Sequence, residues 1–185
     1  MSKKLQILFL SAEVAPYAKT GGLGDVGGSL PKALHDMGHD VRVVMPAYPK
    51  IEAGYPGVTP MPGILNVPTG AGSLIAGVFQ GTLPNSKVPI YFVAEGNLFN
   101  RPSLYGYGDD AYRFAFFCRA ALELTRALEW KPDVVHAHDW HTAPALTWLS
   151  TAGQGYEEFR GIATVFTIHN LAHQGKTSWH IFNYM

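Results

Sequence analysis

The sequence predicts an α/β fold, in which a mostly parallel sheet carries helices on both of its faces. Two apolar runs, residues 5–10 and 41–45, are nearly continuous, as is typical of parallel strands that are buried on both faces. A helical pattern over residues 23–37 lies between them and completes a strand, helix and strand unit with a right-handed crossover. The chain has 185 residues, of which 47% are hydrophobic, enough for the core of one domain.

The first helix is predicted from apolar residues that recur at steps of three and four. Gly38 follows this pattern as a C-terminal cap would. Pro31 cannot donate a hydrogen bond to the carbonyl of Gly27, so we expect a bend there. The residues of the pattern are Leu23, Val26, Leu30, Leu34 and Met37.

A glycine-rich turn, residues 19–28 with the sequence KTGGLGDVGG, joins the first strand to this helix. The first N–H groups of a helix have no partner inside it and carry roughly half a positive charge. Glycines let an anion approach these groups, and Lys19 adds an ammonium beside them. The turn therefore predicts a cradle for a phosphate or diphosphate. The alternative is a helix start whose glycines serve only tight packing, with Lys19 in solvent.

Residues 22–27 also spell GxGxxG, which is typical of dinucleotide sites. Two features argue against such a site. Residues 11–21 separate the motif from the first strand, and the second strand ends in Met45-Pro46 rather than in an acidic residue for the ribose hydroxyls.

The middle of the chain predicts strands separated by turns, arranged as a meander or an edge hairpin. A loop rich in Pro and Gly, residues 46–62, precedes them, and a second loop, residues 95–108, follows. Three aromatic residues are expected to be exposed on the second loop: Phe99, Tyr105 and Tyr107. The predicted strands are residues 64–67, 73–80 and 88–93.

The second half begins with a long helical pattern through residue 128, which either Asp109 or Asp110 is placed to cap at its N-terminus. A strand at residues 132–136, a helix at 142–151, a last apolar strand at 162–168 and a polar tail at 169–185 follow.

Three polar loops, residues 19–24, 136–141 and 169–174, each follow the end of a predicted strand. The carboxyl ends of parallel strands meet at one edge of a sheet, where ligands bind. We therefore predict an active site at this edge. A histidine at a strand end, such as His169, is more often structural, but its position at the same edge as Lys19 favours a functional role.

The histidine cluster HAHDWH, residues 136–141, has three possible roles. A binuclear metal site would have the pattern HxHxDH, whereas here Asp139 lies one position early and Trp140 takes its place, so we predict no metal. In a structural role, His136 is hydrogen-bonded in the core. In a binding role, Asp139 and His141 form hydrogen bonds to a polar ligand such as a sugar.

The charge balance and the single cysteine limit the classes of function. The 14 basic and 14 acidic side chains balance and no basic patch is evident, which disfavours nucleic acid as a partner. Cys118 lies in an apolar helical pattern and is interpreted as a buried residue. No apolar run reaches the ~18 residues of a membrane span. We expect a cytoplasmic protein, or a plastid protein without its transit peptide.

Three segments, residues 19–26, 134–141 and 166–175, resemble signatures of the bacterial glycogen synthase and plant starch synthase family, in matching order and spacing. The resemblance implies a retaining glucosyltransferase that transfers glucose from ADP-glucose to an α-1,4-glucan without a metal or other cofactor. It also implies the GT-B arrangement of two Rossmann-like domains across a cleft. Residues 1–185 would form the N-terminal, acceptor-side domain, incomplete at its C-terminal end, without the nucleotide-binding domain.

The same resemblance implies roles for individual residues. The lysine and the glycine amides of the turn would face the donor diphosphate and glucose, and His169 would contribute its carbonyl and its ring beside the reacting sugar. The residues assigned to catalysis are Lys19, Asp139 and His169. Those assigned to substrate binding are Lys19, Gly21, Gly22, Tyr105, His141, Asn170 and Gln174.

The departures from the family concern one residue and the length. His173 stands where the family more often has Tyr, and without the second domain we expect little or no transferase activity from the chain alone. The expected partners are ADP-glucose and the glucan, with neither nucleic acid nor membrane. An exposed apolar cleft face predicts self-association. The alternative function is a non-catalytic glucan-binding or self-associating domain.

Overall fold

The computed structural model describes residues 3–70 and 72–177. The strands are β1 (Gln6–Leu10), β2 (Asp40–Pro46), β3 (Thr59–Pro60), β4 (Leu65–Thr69), β5 (Gly72–Thr82), β6 (Pro89–Ala94), β7 (Val134–His138) and β8 (Ala163–Thr167). The helices are α1 (Gly22–Asp36), α2 (Pro49–Glu52), α3 (Gly96–Phe99), α4 (Asp110–Ala127) and α5 (Ala143–Ser150). Two short 3-10 helices, Ala152–Gly155 and Glu157–Phe159, follow α5.

The described strands form one mixed sheet in the order β3-β5-β6-β2-β1-β7-β8, with β4 paired to β5. Strands β6, β2, β1, β7 and β8 run parallel, which confirms the predicted mostly parallel sheet. The connection through α1 steps to one side of β1, and the connection through α5 steps to the other side. Because such crossovers are right-handed, α1 and α5 lie on opposite faces.

The antiparallel part of the sheet confirms the predicted meander of β4, β5 and β6. The preceding segment, predicted as a plain loop, contains the short helix α2 and the short strand β3. Pro49 begins α2, where its missing N–H costs no intrahelical hydrogen bond.

Most predicted elements of the parallel part appear within about two residues of their predicted bounds. Helix α1 continues through Pro31, which is buried. Gly38 adopts a φ of +97°, a left-handed conformation that favours glycine, and its N–H donates to the carbonyl of His35 at 2.8 Å. Cys118 is buried as predicted, and burial raises the pKa of its thiol to about 12.

The loop before α4 differs from its prediction. Phe99 is fully buried and Tyr105 and Tyr107 are half-buried, so the expectation of exposed aromatic residues is wrong. The cause is Arg113, a wholly buried residue of α4, whose guanidinium donates to the carbonyls of Leu98 and Leu104 and draws the loop onto the helix.

The predicted aspartate at the N-cap of α4 is confirmed in position but not as a hydrogen-bonding cap. Asp109 occupies the N-cap position, but its side chain makes no capping hydrogen bond. Its carboxylate instead pairs with Arg101 at 2.6 Å, and Asp110 pairs with Arg113 at 2.7 Å. Asp110 also accepts the N–H of Gly106 at 2.7 Å, so both carboxylates contact the preceding loop.

Strand β8 has an open edge in the part of the chain that the structure describes. Apolar side chains there are unusually exposed: Val165 is 44% exposed, Phe166 43%, and the following Ile168 56%. In the same part of the chain, no helix combines the length and the apolarity needed to cross a bilayer.

Candidate functional site

A hollow of about 640 Å³ lies at the carboxyl edge of the parallel strands, within the size range of small-molecule sites. It is lined from all three polar loops singled out in the sequence. Seven of the predicted site residues line it: Gly21, Gly22, Tyr105, Asp139, His141, His169 and Asn170. The other lining residues are Glu13, Thr20, Leu23, Gly106, Asp110, Trp140 and His173.

Two predicted site residues lie outside this lining. The ammonium of Lys19 pairs with Asp25 at 2.7 Å, and the lysine side chain is 47% exposed. Gln174 borders a neighbouring hollow of about 350 Å³, on the other side of Trp140. The Gln174 amide donates to the carbonyl of Leu171 at 3.0 Å.

A buried carboxylate, Glu13, organises the glycine-rich turn. It accepts the N–H of Thr20 at 2.5 Å, the hydroxyl of Thr20 at 2.6 Å, the N–H of Gly21 at 3.2 Å and the hydroxyl of Tyr105 at 2.8 Å. Burial alone raises the pKa of Glu13, but these hydrogen bonds outweigh it and hold that pKa below its ordinary value. Part of the predicted anion cradle is thus filled by the protein's own carboxylate.

The glycines of the turn divide into two groups by their surroundings. A Cβ at Gly27 would stand 2.5 Å from the carbonyl of Glu13, and one at Gly28 would stand 2.8 Å from that of Ala15. These two glycines therefore serve close packing of α1. A Cβ at Gly21 or Gly22 would meet no described atom within 4 Å, because both face the open hollow.

Asp139 ties the end of β7 to the end of β8. Its backbone has a φ of +58°, and its N–H donates to the carbonyl of Thr167 at 2.9 Å. Its Oδ1 accepts the backbone N–H of His169 at 2.7 Å and that of Asn170 at 3.4 Å. The side chain therefore fixes the backbone of two other residues that line the hollow.

His136 and His138, two histidines of the cluster, lie in β7 just before Asp139. Nε2 of His136 shares a hydrogen bond of 2.7 Å with the hydroxyl of Thr167, in agreement with its structural interpretation. Nδ1 of His138 lies 2.9 Å from Nε2 of His169. Burial, helped by the neighbouring histidines, lowers the pKa of His138 to about 2. Within the described residues, no group of three or more His, Cys, Asp or Glu side chains could hold a metal ion.

His141 belongs to an aromatic wall of the hollow. Its ring centroid lies 4.2 Å from that of Trp140, 4.5 Å from that of Tyr105 and 4.7 Å from that of Phe114. Burial is the main cause that lowers the pKa of His141 to about 4, so the ring is neutral at pH 7. Its Nδ1 has no hydrogen-bond partner among residues 3–70 and 72–177.

Residues 6–185 match the family model for the starch synthase catalytic domain. The chain belongs to this family. It is 47% identical to glycogen synthase 1 of Geobacter sulfurreducens over 178 residues, which is 93% of this chain and 36% of that protein. It is also 47% identical to the glycogen synthase of Moorella thermoacetica, covering 95% of this chain and 35% of that protein. The resemblance of the three motifs is thereby confirmed, and the family is one of glycosyltransferase enzymes.

A solved structure of the same family has the same fold. It is the catalytic domain of starch synthase IV from Arabidopsis thaliana, bound to ADP and acarbose, with a TM-score of 0.89 and 31% identity over 98% of this chain and 37% of that one. The predicted fold class, an α/β domain with a mostly parallel sheet that corresponds to part of a GT-B enzyme, is therefore confirmed. The chain spans only about a third of the length of these relatives, 36% of the first.

Seven lining residues are not among those predicted for the site, and they include Glu13, Thr20 and Trp140. Glu13 follows the first strand, so its place at the predicted sheet edge is a usable signal. In the sequence, Trp140 is recognised only as a departure from a metal-site pattern, and Thr20 only as part of the turn. The contact between Glu13 and Tyr105 spans 92 positions, and no local pattern in the sequence announces it.

Proposed function

We propose that this starch synthase domain is the N-terminal, acceptor-side part of a retaining glucosyltransferase. The enzyme transfers glucose from ADP-glucose to the non-reducing end of an α-1,4-glucan. The relatives are about three times as long as the matched region, since the chain covers 36% of the first of them. The proposal assigns the nucleotide-binding domain to that additional length, so the isolated chain has little or no transferase activity.

The observation that carries the proposal is the meeting of the turn, Asp139 and His169 around one hollow. A sugar hydroxyl both donates and accepts hydrogen bonds, and the hollow combines a carboxylate with an imidazole. The ring of Trp140 gives it an apolar wall. The Arabidopsis relative, bound to ADP and acarbose, supports a nucleotide and a glucan-like ligand as the two ligand classes.

Asp139 and His169 act together at the reacting sugar. Oδ1 of Asp139 is committed to the backbone of His169 and Asn170, which leaves Oδ2 for a sugar hydroxyl. The Asp139 carboxylate is rigid because its Oδ1 already accepts the N–H groups of His169 and Asn170 before a ligand binds. Such preorganisation is what stabilises charge that develops during transfer.

The donor diphosphate lies at the glycine-rich turn. Gly21 and Gly22 leave room for it, and the N–H groups of the first turn of α1 have no partner inside the helix. The ammonium of Lys19 binds the same diphosphate after it leaves Asp25. Breaking this ion pair costs little stability, because an exposed ion pair stabilises a protein by only about 0–1 kcal/mol. The positive field of lysine and helix then stabilises the departing nucleotide.

The acceptor glucan lies along Tyr105, His141 and Asn170, and extends past Trp140 to Gln174 in the neighbouring hollow. When the nucleotide-binding domain closes on this edge, it excludes water that would otherwise hydrolyse the donor.

A chimera tests the transfer reaction directly. Residues 1–177 of this chain replace the matched region of the Geobacter sulfurreducens relative, and incorporation of labelled glucose from ADP-glucose into glycogen is measured. We expect transfer, and a loss of about 100-fold or more in kcat for Asp139→Asn. Asp36→Asn, at an exposed position of α1, is the matched control and keeps full activity. A folded chimera that binds acarbose without incorporating glucose would contradict the proposal and favour a glucan-binding module.

The exposed apolar residues of β8 favour a second candidate, self-association of the chain. Val165, Phe166 and Ile168 would pack against a second copy. Light scattering at increasing concentration is the measurement. Dimers that dissociate in Phe166→Lys would support this candidate, and a monomer throughout would exclude it.

A further inference from the structure

The ring of His138 lies beneath the hollow and does not line it. It is fully buried, and its centroid lies 4.0 Å from both the ring of Phe9 and the ring of His136. Its one ring hydrogen bond among the described residues runs from Nδ1 to Nε2 of His169, at 2.9 Å. His169 does line the hollow. His138 can therefore act on a ligand only through His169.

A hydrogen bond between two ring nitrogens needs one donor and one acceptor. Burial keeps His138 neutral at pH 7, so its ring carries a single proton. Two arrangements satisfy the bond. Either His169 donates from Nε2 and the proton of His138 sits on its own Nε2, or His138 donates from Nδ1 and Nε2 of His169 accepts.

The surroundings of Nε2 of His138 distinguish these arrangements. This atom is buried and has no hydrogen-bond partner within residues 3–70 and 72–177. In the first arrangement it would be a buried N–H without an acceptor, and buried donors without partners are rarer in proteins than acceptors that lack one. In the second arrangement only a lone pair is left without a partner.

We infer that His138 is a positioning residue that donates from Nδ1 to Nε2 of His169, and so holds the proton of the neutral His169 ring on Nδ1. The backbone of His169 is fixed by Asp139 and its ring by His138, so the last residue of β7 and the residue after it orient His169. Nδ1–H is then the ring's donor toward the hollow, beside the acceptor oxygen of Asp139.

The consequence for ligands rests on the proposed function. A donor and an acceptor side by side fit a sugar hydroxyl, and a donor alone fits a phosphate or ether oxygen. If His169 held its proton on Nε2, Nδ1 would be an acceptor, and two acceptors would face the ligand.

The tautomer can be read without any ligand or activity. Long-range proton–nitrogen NMR spectra of the 185-residue chain, labelled with ¹⁵N, distinguish the two neutral forms of each imidazole. His39 is an internal reference, because its Nδ1 accepts the N–H of Leu5 at 3.2 Å and its proton must sit on Nε2. We expect His169 to show the opposite pattern to His39. The same pattern in both residues would overturn the inference.

Two variants test the role of the donor. His138→Phe keeps a ring against Phe9 but has no donor, so we expect the Nε2–H form of His169 to become the major one. His138→Asn places an amide N–H near the position of Nδ1 and is expected to retain the Nδ1–H form. His39→Asn is the remote control and leaves His169 unchanged. An unchanged His169 pattern in a folded His138→Phe chain would overturn the inference.

The same substitutions in the chimera separate this inference from the proposed function. We expect His138→Phe to lower kcat about 10-fold or more with a smaller change in KM, and His138→Asn to restore most of the loss. If the NMR pattern is as expected but the chimera is inactive, the proposed function fails and the tautomer assignment stands. Full activity of His138→Phe would show that the assignment has no role in transfer.

Discussion

Oδ1 of Asp139 accepts the backbone N–H of His169 at 2.7 Å, across 30 positions of sequence. The two residues follow the ends of the neighbouring parallel strands β7 and β8, so this one bond joins two of the loops that form the hollow. It also makes Asp139 a structural residue and a candidate catalytic residue at once. Substitutions there affect both properties, and a pair of variants is needed to separate them.

Asp139→Ala should destabilise the chain by about 2–4 kcal/mol. The change removes a charge-assisted hydrogen bond and places alanine at a φ of +58°, which is unfavourable for a residue with a Cβ. Asp139→Asn should cost much less, because asparagine tolerates this conformation and its oxygen can still accept the N–H of His169. Urea unfolding of both variants measures the difference. Equal losses of stability in the two would contradict the importance of the bond.

Glu13→Gln should destabilise the chain by about 1–3 kcal/mol. Oε2 of Glu13 accepts the two backbone N–H groups and Oε1 accepts the hydroxyls of Thr20 and Tyr105. In glutamine the bonds to the N–H groups lose the carboxylate charge, and both hydroxyls must reverse to accept from the amide NH2 group. Asp36→Asn, at an exposed position, is the matched control with the same loss of charge. Thermal unfolding compares them, and the two curves coinciding would exclude Glu13 as the organiser of the turn.

The sequence was sufficient for the parallel strands, the meander and the position of the site. Apolar runs and helical periodicity depend on burial, and burial follows from the class of fold. Polar residues after successive strands meet at one edge because of topology, so Asp139 and His169 could be placed together without coordinates.

The sequence alone does not predict burial or contacts that depend on a side chain distant in the chain. Phe99 is buried because Arg113 reaches the backbone of its loop, and nothing local to Phe99 indicates this contact. Glu13 fills part of the predicted anion cradle through a turn of the chain back onto itself. The exposure of β8 depends on its place at the edge of the described sheet, which its apolar composition does not reveal.

His141 makes stability depend on pH. Its pKa is about 4 in the folded chain against an ordinary 6.5, so between these values the unfolded state binds more protons. Stability therefore falls as the pH drops from about 6.5 to about 4, and His141 accounts for a loss on the order of 3 kcal/mol. Urea unfolding at several pH values gives the free energy of unfolding as a function of pH. We expect this free energy to fall less steeply with decreasing pH in His141→Phe than in the unsubstituted chain. Phe114→Leu, in the same aromatic cluster, removes no titrating group. It should therefore keep the pH dependence of the unfolding free energy that the unsubstituted chain shows.

Alanine should reduce the stability of the chain strongly at Gly27 and hardly at Gly21. Gly27→Ala forces a methyl group against the carbonyl of Glu13 and should cost about 1–3 kcal/mol or more. Gly21→Ala meets no described atom within 4 Å and should change stability by less than about 0.5 kcal/mol. In the chimera we expect Gly21→Ala to raise KM for ADP-glucose, because the methyl group occupies space assigned to the donor. A stable Gly27→Ala chain would refute the packing assignment, and an unchanged KM for Gly21→Ala would refute the donor assignment.

Lys19→Ala should separate a surface ion pair from a donor-binding residue. Both side chains of the Lys19–Asp25 ion pair are exposed, so the free energy of unfolding should change by no more than about 1 kcal/mol. If the ammonium leaves Asp25 for the donor diphosphate, the chimera carrying Lys19→Ala should lose about 10-fold or more in kcat/KM for ADP-glucose, since a charged hydrogen bond of about 1.5–3 kcal/mol is missing. Lys50→Ala, at an exposed position of α2, is the matched control and should leave kcat/KM unchanged. Initial rates over a range of ADP-glucose concentrations decide between the two roles. Identical kinetics in the Lys19 and Lys50 variants would leave Lys19 as a solvent-facing partner of Asp25 and remove it from the site.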